Sequence, residues 1–223
     1  VNEVSYMGKK WGWAVKTIVL FCTHQISHAM TFDFDRLGKS NQIEIRLKTG
    51  FGSGSVKGSI SRVRGEINFL AELPQEAKGR IDLDASSLRF GNLKVSGDAH
   101  SLEWLNTSLY PTISFQLKGF KNPRWNGKSL FVIAHGKLSL KESSSSVLMP
   151  LTVRYFRKHR RKFDGLNGDL LVLEGESSIS RNLFGINPAS STKEVGDKIM
   201  VRVKLVGCSD KVRPFLPSAL FLR

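Results

Sequence analysis

The sequence is poor in cysteine and lacks any extended helical pattern. It contains two cysteines in 223 residues, Cys22 and Cys208. Two thiols do not form a disulfide framework, and Cys22 falls in the leader segment described below. After Asp33 no long stretch repeats apolar residues at the helical period, which excludes a helical bundle. We therefore expect an all-β fold without disulfide bonds.

Recognisable catalytic motifs are also missing. The chain has no HExxH, no GxSxG and no phosphate-binding glycine loop. The glycine-rich run at 50–55 separates two strand patterns and is interpreted as a turn. His100, His135 and His159 lie on different predicted elements, without the spacing of metal ligands. The sequence thus predicts a protein that is not an enzyme, with no metal site and no catalytic cofactor.

Acidic residues are scarce relative to basic ones, and the formal net charge is +15. One run at 154–162, RYFRKHRRK, precedes the turn signals Asp164-Gly165 and Asn167-Gly168, which places it at the tip of a hairpin. Its six cations are Arg154, Arg157, Lys158, Arg160, Arg161 and Lys162. A solvated hairpin tip is the simplest interpretation. Contact with anionic lipid headgroups, at about 1 kcal/mol for each cation, is the functional alternative. Two adjacent aromatic residues disfavour a nucleic-acid surface, which needs spaced stacking platforms.

The first 29 residues have the layout of a secretory signal peptide. Residues 1–6 look like read-through upstream of a start at Met7. Lys9 and Lys10 then precede an apolar core at 11–22, and Ser27-His28-Ala29 offers small residues for cleavage after Ala29. We expect a secreted protein. An uncleaved amphipathic anchor is the alternative, because Lys16 interrupts the apolar core.

Apolar residues alternate with polar ones through most of the remaining chain. Period two is typical of strands buried on one face, and many such strands in succession favour a closed antiparallel barrel of about eight strands. The predicted inner wall is formed by Ile67, Phe69, Ile81, Leu83, Ile113, Phe115, Leu117, Leu138, Leu140, Val201 and Val203. An interior of this composition favours a long apolar ligand, since burial contributes about 25 cal/mol for each Å².

The stretch at 82–115 organises the predicted fold, because it contains a strand, one short helix and a return strand. The helix is predicted over 99–106, where Leu102 and Leu105 are spaced three apart, with Asp98 as its N-cap. Trp104 and Leu105 would cover one end of the barrel. His100 would either fix this helix or lie at the cavity mouth and meet a ligand headgroup.

Several motifs in a fixed order resemble the YceI-like family of lipid-binding proteins, over about 33–207 of the chain. The matching pieces are Asp98–Leu105, Tyr110–Phe115, Gly136–Leu140, Arg181–Ile186 and Val195–Val206. Three features depart from the family pattern. Gly97 replaces a common arginine, Trp104 stands where phenylalanine is frequent, and a basic insert follows Val153.

The resemblance implies a lipocalin-like barrel that carries a polyisoprenoid-type lipid in the bacterial periplasm. Its cargo would be an isoprenoid or quinone-like lipid. The expected organisation is a signal peptide at 1–29, a barrel domain at 30–207 and a C-terminal tail at 208–223. A module that binds polyanions or anionic membrane surfaces through the basic run is the alternative function. A purely structural interaction module and a homodimer are left open.

Overall fold

The computed structural model describes residues 29–50 and 54–212, and almost all of them belong to antiparallel strands or their connections. The strands are β1 (Met30–Asp33), β2 (Gln42–Thr49), β3 (Gly54–Ile60), β4 (Val63–Phe69), β5 (Lys78–Asp84), β6 (Leu88–Phe90), β7 (Thr112–Asn126), β8 (Ser129–Leu140), β9 (Ser143–Phe156), β10 (Leu170–Ser180) and β11 (Val195–Cys208). The helices are α1 (Leu93–His100) and α2 (Arg161–Asp164). The predicted signal peptide and most of the predicted tail lie outside the described residues.

Eight strands form a closed ring in the order β1, β4, β5, β7, β8, β9, β10 and β11. The ring closes where Asp33 of β1 pairs with Cys208 of β11. The other three strands, β2, β3 and β6, extend the sheet from the same edge of β11. The prediction of an all-β, lipocalin-like antiparallel barrel of about eight strands is therefore confirmed. Because β11 runs to Cys208, the barrel includes the first residue assigned to the tail.

One end of the barrel is filled by aromatic side chains. It is the end at which β9 connects to β10, and we call it the closed end. Phe32 and Phe69 meet edge to face with ring centroids 6.5 Å apart, and Phe120 lies 6.4 Å from Phe69. Tyr155 packs against Phe32 from β9, at 6.2 Å. Such large apolar groups exclude water and leave no room for a ligand here.

Gly136 marks the transition from this packed end to the rest of the barrel. It pairs with Leu117 across β7 and β8. A Cβ at this position would lie 2.6 Å from the Phe115 ring and 2.3 Å from the Gln116 carbonyl oxygen. Only glycine lets the Phe115 ring lie across β8 at this point. Gly136 therefore accommodates a neighbouring ring.

The short helix lies earlier in the chain than predicted. α1 spans Leu93–His100, and the side chain of Asn92 accepts hydrogen bonds from the backbone N–H of Lys94 (2.8 Å) and Val95 (3.2 Å). Asn92 is therefore the N-cap, and Asp98 lies in the last turn, so the predicted cap was wrong. Residues 101–105 form turns, and Leu102 is 74% exposed.

Neither helix is a membrane span. Within 29–50 and 54–212, no helix is both long and apolar enough to cross a bilayer. α2 is a single turn that ends at Gly165, which adopts the left-handed conformation with φ of 79°. It lies in the connection from β9 to β10, at the closed end.

Candidate functional site: an apolar cavity

The barrel encloses a cavity of about 380 Å³ in the half away from the closed end. This volume is in the range of about 300–1,000 Å³ that is typical of small-molecule sites. Ten of the eleven predicted inner-wall residues line it: Ile67, Ile81, Leu83, Ile113, Phe115, Leu117, Leu138, Leu140, Val201 and Val203. Phe69 does not line the cavity, because its ring packs in the aromatic cluster of the closed end.

Side-chain exposure shows where the interior is hollow. Phe115, Leu138 and Val201 point inward from long strands, yet they are only partly buried. Inward residues at the closed end, such as Leu130 and Leu171, are completely buried. The alternation of the sequence is the same in both halves. The exposed surface of Phe115, Leu138 and Val201 therefore faces the cavity, where no protein side chain fills the space between the walls of the barrel.

The cavity lining is almost free of polar groups. The polar residues along it are Thr49, Asp98 and Ser177, and Asp98 is exposed at the rim. The described part of the chain contains no group of three or more histidine, cysteine, aspartate or glutamate side chains suited to a metal ion. Such a lining binds a ligand through apolar contacts, and few hydrogen bonds are available to fix the orientation of the ligand.

Trp104 and Leu105, the residues predicted to cover one end of the barrel, both line the cavity, and we call residues 101–107 the covering segment. This covering segment is tied to the turn that follows β10. The backbone N–H of Asn187 donates to the carbonyl oxygen of Glu103 at 2.8 Å. The guanidinium carbon of Arg181 lies 5.9 Å from the centre of the Trp104 ring, within range of a cation–π interaction.

Arg181 is the largest fully buried side chain of the described residues. Its Nη1 donates to the carbonyl oxygens of Ile186 (2.8 Å) and Asn187, and its Nη2 to those of Ser190 (3.1 Å) and Val195 (3.3 Å). A single guanidinium therefore holds together the chain between β10 and β11. Sequence reasoning placed Arg181 in a family motif and assigned it no role. The available signal was an arginine two residues before the mostly apolar run at 183–186.

His100 does not line the cavity. Its Nε2 lies 2.9 Å from the carbonyl oxygen of Leu88, and its Nδ1 lies 3.3 Å from the hydroxyl of Thr107. These contacts join the end of α1 to β6 and to the covering segment. The geometry favours the interpretation in which His100 fixes this helix over the one that places it at a ligand headgroup.

The basic run is divided by the fold. Arg154 lies within β9, 2.5 Å from the Glu174 carboxylate, and Lys158, Arg161 and Lys162 are exposed. Arg160 is only 2% exposed, so its assignment to an exposed cationic surface was wrong. The exposed cations belong to the closed end, opposite the cavity.

The partners of Arg160 explain its burial. It donates to Asp164 (2.8 Å), to Asp210 (2.7 Å) and to the carbonyl oxygen of Ser209 (3.0 Å). Hydrogen bonds from Arg160 and Arg36 hold the pKa of Asp210 below its ordinary range. Asp210 is 50 residues away in the sequence. The run of cations alone therefore gives no sign of this contact.

We compared the sequence and the fold with those of known proteins. A family model described as the YceI-like domain matches residues 26–207. No curated protein sequence matches the chain at a significant level.

Several solved structures share the fold at low sequence identity. BcnA from Burkholderia cenocepacia is 19% identical with a TM-score of 0.61, over 76% of this chain and 97% of that one. A YceI protein from Campylobacter jejuni is 16% identical with a TM-score of 0.58, over 72% and 88%. A polyisoprenoid binding domain from Saccharophagus degradans, implicated in plant cell wall breakdown, is 11% identical with a TM-score of 0.59, over 82% and 99%.

Proposed function

Because the chain belongs to the YceI-like family, we propose that it binds and carries a long apolar lipid of polyisoprenoid type without catalysing a reaction. The observation that carries this proposal is the cavity, whose lining is aliphatic and aromatic with three polar residues among the 36 that line it. Each Å² of lipid surface buried there contributes about 25 cal/mol. A similar fold in a polyisoprenoid binding domain supports the ligand class.

The place of action that we propose is the bacterial periplasm. Support comes from the leader-like composition of residues 1–29, which lie almost entirely outside the described residues. Fractionation of cells expressing the full chain tests it. Recovery of a shortened protein from the periplasm is expected, and a full-length protein in the cytosol would contradict it.

The direct test is to purify the protein without detergent, extract it with organic solvent and identify the lipid by mass spectrometry. We expect an apolar lipid in stoichiometric amount. Leu138→Arg places a charge in the cavity and should abolish its retention. Ser139→Arg adds the same side chain on the outer face of β8 and should retain the lipid.

A second variant separates loss of binding from loss of folding. Val203 lines the cavity, and Val203→Phe fills part of its volume with another apolar group. The fold should persist while the amount of bound lipid falls. A folded wild-type protein that yields no lipid and takes up none would refute the proposed function.

A second candidate function rests on the closed end. Lys158, Arg161 and Lys162 are exposed there beside the exposed side chains of Phe163 and Leu166. Cations next to apolar groups suit the surface of an anionic membrane. This surface would act independently of the cavity, so substitutions at the closed end would separate the two functions.

A further inference from the structure

The barrel wall is incomplete between β9 and β10. Their pairing runs from Leu170–Phe156 to Gly175–Leu151 and ends there. Beyond it, residues 176–180 of β10 pair only with β11, and residues 143–150 of β9 pair only with β8, among the residues that the structure describes. Two adjacent strands of the ring therefore separate over the half of the barrel that holds the cavity.

The separation forms a bounded window. The Gly175–Leu151 pair closes it on one side. On the other side, the ammonium group of Lys141 donates to the carbonyl oxygen of Gly185 at 3.2 Å. Between these limits, the hydroxyl of Ser177 donates to the carbonyl oxygen of Leu148 at 3.2 Å. One side-chain hydrogen bond thus spans a stretch that backbone pairs would otherwise fill.

The cavity reaches the molecular surface at this window. Leu148 and Ser177 face each other across it, and both line the cavity. Leu148 is nevertheless 57% exposed, so the same side chain borders the interior and the solvent. The covering segment with Trp104 closes the adjoining end of the barrel through its contacts with the Arg181 turn.

We propose that the window between β9 and β10 is the portal through which the lipid passes and in which its polar end rests. This inference rests on the proposed function. Opening the window requires loss of the Ser177 hydrogen bond, whereas any other route between paired strands would break several backbone hydrogen bonds at once. The portal is therefore the least costly lateral path to the cavity.

The chemistry of the window edges suits a hydrogen-bonding headgroup. β9 contributes the serine run at 143–146, and β10 contributes Ser177 and Ser178. Both edges also present backbone N–H and C=O groups that have no ladder partner there. The apolar interior would hold the chain while a hydroxyl or similar group of the lipid meets these donors and acceptors.

The alternative path lies at α1, where the exposed Asp98 also lines the cavity. Passage there would displace the helix and the covering segment together.

A reversible disulfide across the window distinguishes the two paths. The substitutions Leu148→Cys and Ser178→Cys occupy positions that the β9–β10 register would place opposite each other if pairing continued beyond Gly175–Leu151. The remaining cysteine of the described chain, Cys208, is buried.

The probe is all-trans-retinol, a fluorescent isoprenoid alcohol, and the measurement is its release into excess vesicles. With the window disulfide formed, release should slow about tenfold or more, and reduction should restore the wild-type rate. The matched control carries Gln116→Cys and Lys137→Cys, two exposed positions paired in the β7–β8 ladder away from the window. Its disulfide should leave release unchanged. Disulfide formation in both variants is verified by mass spectrometry.

A single substitution gives a second readout that needs no disulfide. Ser177→Ala removes the hydroxyl that bridges the window and should speed release. Ser139→Ala, on the outer face of β8, should leave release unchanged. If neither the window disulfide nor Ser177→Ala changes the rate of retinol release, the portal is refuted and the route lies at α1. If the wild-type protein takes up no retinol and holds no lipid, the proposed function fails and the portal with it.

Discussion

At the scale of single residues, Arg181 is the side chain on which the cover of the cavity most depends. Replacing it with methionine keeps much of its apolar stem but leaves four backbone carbonyl oxygens without their charged donor. We expect Arg181→Met to lower the free energy of unfolding by about 3 kcal/mol, because hydrogen bonds from a charged group contribute about 1.5–3 kcal/mol each and the carbonyls become partly solvated. Urea denaturation measures this change.

A second arginine provides the control for that prediction. Arg202 lies on the outer face of β11 and pairs with Glu176 at 2.6 Å, with both side chains substantially exposed. Arg202→Met should change the free energy of unfolding by less than about 1 kcal/mol. Equal effects of the two substitutions would contradict the organising role of Arg181.

Gly136 permits a second prediction at this scale. In Gly136→Ala the new methyl group meets the Phe115 ring and the Gln116 carbonyl oxygen, and moving the ring disturbs the cavity wall. We expect a loss of about 1–3 kcal/mol in unfolding free energy together with weaker lipid retention. Gly91→Ala is the matched control, because a Cβ there has no neighbour within 4 Å. The prediction fails if both alanines cost the same.

At the scale of elements, the sequence correctly predicted the features that depend on a local pattern of residues. Alternation over a few residues assigned the inward face of β8 and β11, because side chains on a strand change sides at every residue. The same pattern did not reveal that β9 and β10 separate after Gly175–Leu151, since strand separation depends on two segments far apart in the chain.

The displaced helix has a local cause of a different kind. Gly97 lies inside α1 and weakens its helical signal, so the apolar spacing at 102–105 was the stronger pattern. Asn92, the actual N-cap, was hidden next to Gly91 in a stretch with the composition of a turn. The hollow interior could not be predicted either. Alternation along a strand indicates which side chains face inward, but it does not give the distance between opposite walls of the barrel.

A pH dependence of stability follows from Asp197 of β11. Asp197 of β11 accepts hydrogen bonds from the backbone N–H of Asn182 (2.9 Å) and the hydroxyl of Ser180 (3.0 Å), which joins β11 to the turn after β10. The backbone hydrogen bond, opposed by partial burial, holds the pKa of Asp197 below its ordinary value of 3.8. Its stabilising effect is therefore complete above pH 3.8 and is lost as the pH falls through the lower, folded-state pKa.

We expect Asp197→Asn to be less stable than the wild type at neutral pH, with a difference that shrinks as the pH falls below 3.8. The reason is that the protonated wild-type side chain then carries no more charge than the amide. Urea denaturation of both proteins at neutral and acidic pH gives this difference. A difference in unfolding free energy that stays constant down to the lowest pH at which both proteins fold would contradict the role assigned to Asp197.

At the scale of the whole molecule, the barrel has two ends with different properties. The cavity and its window occupy one half, while the other half is packed with aromatic rings and carries exposed cations at Lys158, Arg161 and Lys162. Because the charge-bearing end and the hollow end are opposite each other, the two candidate functions are separable by substitution. A lipid carrier could hold its cargo at one end while the other end lies on an anionic surface.

The combined substitutions Lys158→Glu, Arg161→Glu and Lys162→Glu test this separation. If the closed end is the membrane-binding surface, they should abolish binding to vesicles that contain phosphatidylglycerol, since each cation near such a surface contributes about 1 kcal/mol. Release of retinol should not change, because none of the three residues lines the cavity.

The matched control reverses three exposed lysines elsewhere, Lys94, Lys193 and Lys198, and changes the net charge by the same amount. The field of the whole molecule is then altered equally, and only the position of the charge differs. Retention of vesicle binding by the control and its loss by the closed-end variant would assign the surface, because screening at 0.1 M salt confines each charge to a range of about 10 Å. Equal loss in both variants would show that net charge alone drives binding and would refute a dedicated surface at the closed end.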